Sequence, residues 1–597
     1  MFKFKLTYVA LAVALSSTVV YADPTNYTHL SGAKVVDIEA PNAAGVSHNL
    51  YREFNVDANG LILNNSDSDI NHPTFGNIAK NNNLTNGGAS VILNEVTSNK
   101  ASSLNGFIEV AGLKADVVIA NPNGITCSGC SFVNTNKAVL TTGKVNMTDE
   151  GAIGSYTITD GKITIGENGM NASTSYAALL ADAVAINGMI NAGNATVGGG
   201  NFTFDNSTGA MTSAGKSATV LQMISPVYSI DISSLGGIKA NSISMVGNNL
   251  GFGVRNKGAI TANSTLSITN NGLLTNDGSI ASNGYLTSIA ASGNFTNNGT
   301  LATRNMTMIT AYGALNNGSK GTISSTKQLI LNASGNIQNS GTISATSSLV
   351  ATSNGAITNN AGATITSNAQ ITATSLGNFT NDGTIKGKNT AVNFIGSNFK
   401  NTGTISATGK VAVKSLNQDS TTNTGEIYNL GTISGENIDM QTNGTLAQST
   451  SGRMEATNAI TAHSYWLNNN GYMKAADITT DHGTISNTGT ITAANVSLTT
   501  YYDVTNEGTI YSSGDLLLDT QMKGNIYNYS LIQANGTLTM TAKKVVNSGR
   551  GCGWLKFNTC DVGTISANKM VLNSSHKYAS EMGGYQYFKV AEINTVL

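Results

Sequence analysis

Charge is scarce in this chain. Only 11% of its 597 residues are charged, and the two signs nearly cancel to a net charge of −1. That leaves no basic footprint for nucleic acid and no polybasic anchor for a membrane surface. Proline is almost missing, at 5 residues, while glycine reaches 65. Disorder is excluded by the combination of low charge with 40% apolar residues, which is enough to bury a core. After the first 22 residues no stretch approaches the roughly 18 consecutive apolar residues of a membrane-spanning helix.

Catalytic signatures are lacking as well. The six histidines, His29, His48, His72, His463, His482 and His576, are scattered without metal-ligand spacing. Ala210 to Ser217 reads Ala-Met-Thr-Ser-Ala-Gly-Lys-Ser, but a phosphate loop needs glycine where Ala210 stands. Asp67-Ser68-Asp69 is too short for a calcium loop, and no Gly-x-Ser-x-Gly elbow occurs. The expectation is a protein with no cofactor and no metal that is not an enzyme.

Cysteine is limited to four residues, the pairs Cys127/Cys130 and Cys552/Cys560. Their spacings fit no zinc pattern, and in an oxidising compartment local disulfides are expected, with Cys552/Cys560 closing a loop around Trp554. The bridge within Cys127-Ser128-Gly129-Cys130 would be tight. An oxidising compartment is itself expected, since Lys3 and Lys5 precede a largely apolar run to Val20 and a Val20-Tyr21-Ala22 cleavage site. Residues 1–22 therefore read as a signal peptide, and no anchor follows it.

What is present is a repeat. The unit apolar-x-Asn-x-Gly-Thr-Ile occurs as Phe295, Asn297 and Gly299-Thr300-Leu301, then Ile337, Asn339 and Gly341-Thr342-Ile343, then Phe379, Asn381 and Gly383-Thr384-Ile385. Its last apolar positions, 280, 301, 323, 343, 365, 385 and 405, lie 20 to 22 residues apart. A fixed period of that size means a solenoid. Leucine-rich repeats share the period but need several leucines per unit, whereas this unit is β-branched residues, Asn and Gly. The fold expected is all-β, a parallel β-helix of about 20 to 22 residues per coil whose Ile and Phe stack on their equivalents one coil away, about 4.8 Å along the axis. The Asn side chains should form a ladder. Two copies, ending at Ile323 and Ile365, carry two extra residues, which belong in solvent-facing turns. The period blurs after about 410, with 28 residues from Ile405 to Ile433. About 20 coils separate Cys130 from Cys552, on the order of 100 Å, so the cysteine pairs cannot share a metal.

The N-terminal part alternates short β-prone runs with Asn/Gly turns, and only Ser175 to Ala185 suggests a helical period. Its most distinctive stretch is Asn121-Pro122-Asn123-Gly124-Ile125. Pro122 fixes φ, Asn123 tolerates the left-handed region and Gly124 adopts it freely, so the run Val117 to Ala120 must end in a sharp turn. Around it stand Gly45-Val46-Ser47-His48-Asn49-Leu50-Tyr51-Arg52-Glu53-Phe54-Asn55-Val56, Ile92-Leu93-Asn94-Glu95-Val96-Thr97-Ser98, and Asn134-Thr135-Asn136-Lys137-Ala138 leading to Leu140-Thr141-Thr142-Gly143. In this order, from about Lys34 to Gly143, these motifs resemble the secretion domain of filamentous-haemagglutinin-like (TpsA-type) exoproteins of two-partner secretion. An Asn-Pro-Asn-Leu element found in some members is missing here. The cysteine-bearing version resembles the branch with secreted haemolysins and contact-dependent inhibition proteins.

The resemblance implies a right-handed β-helix with an N-terminal cap, and a dedicated outer-membrane transporter, a β-barrel with POTRA domains, as partner. It gives Asn121, Pro122, Asn123, Gly124 and Ile125 a recognition or folding role; shaping a turn is the plain alternative. The domains expected are a signal peptide (1–22), a two-partner secretion domain (23–250), haemagglutinin-type repeats (251–545) and a C-terminal cap or continuation (546–597). The function expected is a secreted or cell-surface adhesin of a Gram-negative bacterium, attaching to a host-cell glycan or protein receptor. A shortened haemolysin, a contact-dependent inhibition stalk and a self-associating matrix protein are the alternatives. No aromatic or charged cluster stands out along the repeats, so no face of the rod is singled out for binding.

Overall fold

In a computed structural model of the chain, residues 23–217, 219, 227–416, 425–547, 563–576 and 587–596 are described. They form strands and turns with no helix, and hence no helix long and apolar enough to cross a membrane. The signal peptide of 1–22, Cys552 and Cys560 lie outside the described residues.

The first coils are laid on a cap. Strand Asn26–Thr28 runs antiparallel to Lys34–Asp37, which pairs in parallel with Leu61–Asn65. Antiparallel pairing at the start occupies an edge that would otherwise offer free backbone donors and acceptors to another chain. From there the stack is parallel. Val46–Tyr51, Val91–Val96, Ala115–Ala120, Thr135–Thr141, Met170–Ala181, Met189–Gly199 and Gly237–Gly247 lie on one another in that order. One apolar interior runs from Val36 to Leu572.

The repeats stack in register as their period requires. Ile260, Ile280, Leu301, Ile323, Ile343, Ile365, Ile385, Ile405 and Ile433 pair in succession along one sheet. The last step shows where the 28-residue interval falls: Ile405 still pairs with Ile433, Ser415 with Phe394 and Glu426 with Asn398, so the extra length lies in the sequence between Ser415 and Glu426. The two-residue insertions sit in exposed turns at Ser319-Lys320 and Ala361-Gly362. Beyond 440 the period does not blur but shortens. Met454, Met473, Ile491 and Ile510 pair in turn at intervals of 19, 18 and 19 residues. In the segment assigned to a cap or continuation, Thr564–His576 stacks in parallel on Leu531–Asn547 and Tyr587–Val596 stacks on it.

The asparagines form the expected ladder. From Asn256 through Asn276, Asn297, Asn317, Asn339, Asn359, Asn381 and Asn401 to Asn429, each Nδ2 donates to the next Oδ1 at 2.7 to 2.9 Å. Upstream the same column is apolar: Leu104, Cys127, Ile165, Ile186 and Ile232 precede Asn256 in register. The ladder breaks once. Gln448 accepts from Asn429 at a longer 3.3 Å and donates to Tyr472 O, which leaves the buried Oδ1 of Asn469 without a partner before the ladder resumes at Asn487. Gln448→Asn removes the surplus methylene and restores a donor to Asn469. We expect a gain of about 1 kcal/mol, seen as slower amide exchange across 429–487; unchanged exchange would show that the break is relieved by water.

Two features on the secretion half were not expected. Ser175 to Ala185 is extended, in strands Met170–Ala181 and Ala183–Ile186. Its run of buried residues arises because both faces are covered: Ala177, Leu179 and Ala181 enter the interior, while Ala178 and Leu180 pack under a second sheet. That sheet is antiparallel, made of Lys144–Met147, Ile153–Ile158, Phe202–Asp205 and Met211–Ser213, and it buries Tyr156, Phe202 and Phe204 against the stack.

Candidate functional site

The turn residues at 121–125 close the corner between strands Ala115–Ala120 and Ile125–Cys127. Gly124 N–H donates to Asn121 O at 3.1 Å, closing a four-residue turn with Pro122 and Asn123 at its centre. The positive φ falls on Gly124, at 108°, and not on Asn123. A side chain at Gly124 would also press on Lys162 O, 3.0 Å from an added Cβ.

Asn121 is fully buried and holds the corner together. Its Nδ2 donates to Lys100 O and Ser102 Oγ, both at 2.9 Å, and its Oδ1 accepts from Asn123 N–H at 2.9 Å and Asn123 Nδ2 at 3.1 Å. Asn123 Nδ2 also reaches Ser98 O at 2.7 Å, so the turn is tied to the coil before it. Ile125 points inward, 2% exposed, between Ser102 and Ile163 of the adjacent coils. Of the five residues, only Pro122 and Asn123 are exposed to a partner.

The neighbouring segments read from the sequence are brought together. Val46–Tyr51 and Val91–Val96 lie side by side, with His48 Nε2 2.8 Å from Glu95 Oε2 and Tyr51 O–H donating to Asn94 at 3.2 Å. Burial, with Asp23 and Glu39 nearby, pushes the Tyr51 hydroxyl far above its ordinary range, so it serves as a donor throughout. Cys127 and Cys130 are joined by a disulfide, Cα to Cα 5.4 Å, at the next corner, and both are buried.

The expectation that no aromatic cluster marks the rod is overturned. Tyr465, Trp466, Tyr501 and Tyr502 converge on one flank, each nearly half exposed. In sequence the two dipeptides are 36 residues apart, and only the shortened coils of this region superimpose them. Beneath them His482 is 3% exposed, and desolvation holds its ring down to about 3. An unfolded chain binds the proton below about pH 6.5 while the folded one stays neutral, so stability is lost as pH falls through that window toward 3. The loss is about 1.4 kcal/mol per pH unit. His463, Asp481 and the three tyrosines line the same groove as His482. We expect amide protection across 464–502 to fall between pH 6.5 and 4.5, and the slope to flatten in His482→Thr, which matches Thr500 in the same column. A slope equal to that of the parent would assign the acid sensitivity elsewhere.

Residues 16–280 match the TPS secretion domain. The chain is 38% identical over 279 residues to Toxin CdiA of Yersinia pestis, covering 46% of this chain and 8% of that protein. It is 42% identical over 226 residues to tRNA nuclease CdiA of Yersinia mollaretii, covering 38% of this chain and 7% of that one. The chain thus spans less than a tenth of these relatives. Among solved structures it resembles the filamentous hemagglutinin secretion domain, at 30% identity and a TM-score of 0.39, covering 50% of this chain and 95% of that one. The chain belongs to the TpsA-type exoproteins of two-partner secretion, a family exported across the outer membrane of Gram-negative bacteria, and its secretion domain lies within residues 16–280.

Proposed function

We propose that the chain is an adhesin, displayed or released outside the cell, that attaches to a host-cell glycan or protein receptor through the flank of its rod. One observation carries this reading: the parallel stack is continuous from Asn256 to Asn547, on the order of 70 Å at the strand spacing. Such a stack repeats the same polar turn on its outside coil after coil. Repetition raises avidity by orders of magnitude from weak single contacts, without a deep pocket. Binding is the whole of the activity in this reading, with no catalytic step and no cofactor. The turn at Asn121 to Ile125 acts at export, where the transporter's POTRA domains meet Pro122 and Asn123 while Asn121 keeps the corner in shape.

A second reading draws on the similarity to the CdiA toxins. In it the rod is the stalk that carries a toxic domain to a neighbouring bacterium. The two readings separate in one assay. Secreted protein is mixed with erythrocytes, epithelial cells and bacteria; bound protein is scored by immunofluorescence, with released haemoglobin and bacterial growth read in parallel. Saturable attachment to animal cells without lysis is expected. Attachment to bacteria alone would favour the stalk, lysis would favour a haemolysin, and attachment to none would overturn the adhesin reading.

A further inference from the structure

The aromatic cluster is built around a missing side chain. Gly483 lies in register with Tyr465 of the preceding coil, and Tyr502 N–H donates to Gly483 O at 2.7 Å from the following one. A Cβ on Gly483 would meet Tyr465 O at 2.6 Å and the Tyr465 ring at 3.3 Å, so glycine leaves open the space that a side chain would close. The result is a shallow groove of about 460 Å³. Tyr465 sits edge-on to Trp466 at 4.5 Å and to Tyr502 at 6.3 Å, and Tyr501 and Tyr502 are perpendicular at 5.0 Å. Elsewhere on the rod the most exposed tyrosines, Tyr285 and Tyr312, make no such group.

The groove also carries hydrogen-bond acceptors among its polar groups. Asp481 stands at the rim, its carboxylate well exposed and 3.6 Å from His463 Nδ1. At the floor, Ser464 O–H donates to Trp466 O at 2.9 Å, so its Oγ is left to accept from His482 Nδ1 at 2.7 Å. That assigns the ring proton to Nδ1 and makes Nε2 an acceptor. This Nε2 is buried and has no partner in the protein. Lys523 is already seated over the Tyr501 ring at 3.9 Å.

Aromatic faces carry negative charge density and so attract polarised C–H groups as well as apolar surface. A pyranose ring presents both an apolar C–H face and, around its edge, donor hydroxyls. The groove offers the complementary set: rings to stack on, and beside them the exposed Asp481 carboxylate to accept from hydroxyls. With one exposed carboxylate and its cation engaged, it does not suit a sulfated or carboxylated sugar. We infer that this groove is a subsite for a neutral oligosaccharide, laid along the rod over the roughly 10 Å that separates the two aromatic dipeptides. The inference rests on the adhesin reading and adds to it the class of receptor and the face that binds it.

The chain reports on this groove itself, because Trp466 is one of only two tryptophans. In the full secreted chain carrying Trp554→Phe, Trp466 fluorescence is followed during titration with neutral oligosaccharides built from glucose, galactose, mannose and N-acetylglucosamine, up to about 10 mM, the millimolar range of a weak single site. A saturable change with at least one of them is expected. The midpoint should rise at least tenfold in Tyr502→Ala and stay unchanged in Tyr285→Ala. No saturable change with any neutral sugar, a response to acidic sugars alone, or equal midpoints in parent and Tyr502→Ala would overturn the inference, as would Tyr502-dependent self-association in sedimentation without sugar binding. Circular dichroism of Tyr502→Ala checks that its coils persist. Cell attachment by the same proteins separates the two readings. Attachment that Tyr502→Ala does not weaken removes the groove and keeps the adhesin; sugar binding without attachment to cells does the reverse.

Discussion

Asn339→Ala is expected to open the middle of the rod. Asn339 is fully buried, and four hydrogen bonds converge on its side chain. Its Oδ1 accepts from Asn317 Nδ2 at 2.8 Å and Gly341 N–H at 3.2 Å, while its Nδ2 donates to Asn359 Oδ1 at 2.9 Å and Thr364 O at 3.0 Å. Alanine removes all four and strands Asn359 Oδ1 in an interior that water does not reach. A buried acceptor left unmet costs about 1–3 kcal/mol, and the lost bonds add to it, so the coil should lose about 3–5 kcal/mol. Each coil touches only its neighbours, so the loss should be local. Hydrogen exchange should rise across 317–364 and remain at the parent level near Asn506. Asn339→Asp sharpens the point. Its oxygens still accept from Asn317 and Gly341, but a carboxylate then faces Asn359 Oδ1 and Thr364 O with no proton to give. The variant should be at least as unstable as Asn339→Ala at pH 7 and should recover in acid, where the carboxyl gains a proton and becomes a donor. Uniform exchange along the whole rod in either variant would show that the ladder is not a chain of local contacts.

Asn121→Ala should be the most damaging single change in the secretion domain. The side chain ties two segments: the coil before it through Lys100 and Ser102, and its own turn through Asn123. Its loss should cost about 2–4 kcal/mol by the same reasoning, and the secreted yield should fall severely. Pro122→Ala separates folding from recognition. Pro122 is exposed, so this substitution leaves the buried bonds of Asn121 in place. If a transporter reads the turn, Pro122→Ala should lower export while the purified protein unfolds near the parent temperature, and Asn123→Ala should lower export by more than its lost bonds to Ser98 and Asn121 account for. If the turn only shapes the chain, export should track stability across all three variants, and an unfolded Asn121→Ala would account for its own failure to appear outside the cell.

The repeat was legible because a parallel stack in register makes the core one-dimensional. Phe379 packs on Phe399, and Ile385 on Ile405, so like residues return at the coil length and a sequence period becomes a column in space. The same logic exposed the Asn ladder and placed the two-residue insertions in turns. The secretion turn was legible for a different reason: Asn-Pro-Asn-Gly fixes a local backbone whatever surrounds it, although the residue that takes positive φ is Gly124. Where coils change length the sequence pattern dissolved, yet the stack did not, because hydrogen bonding between coils tolerates shorter turns.

What the chain's own order determined, then, is the parallel β-solenoid, its interior columns and the corner at Asn121, all of which rest on contacts repeated at one interval or made within a few residues. Only the tertiary structure decided the rest. The antiparallel sheet over Ala178 and Leu180 turned an apparent helix into a doubly buried strand. The spacing of Tyr465-Trp466 and Tyr501-Tyr502 became a groove only once coils of 18 and 19 residues set them over Gly483. These features depend on which unlike residues meet across unequal coils, and no period in the sequence carries that information.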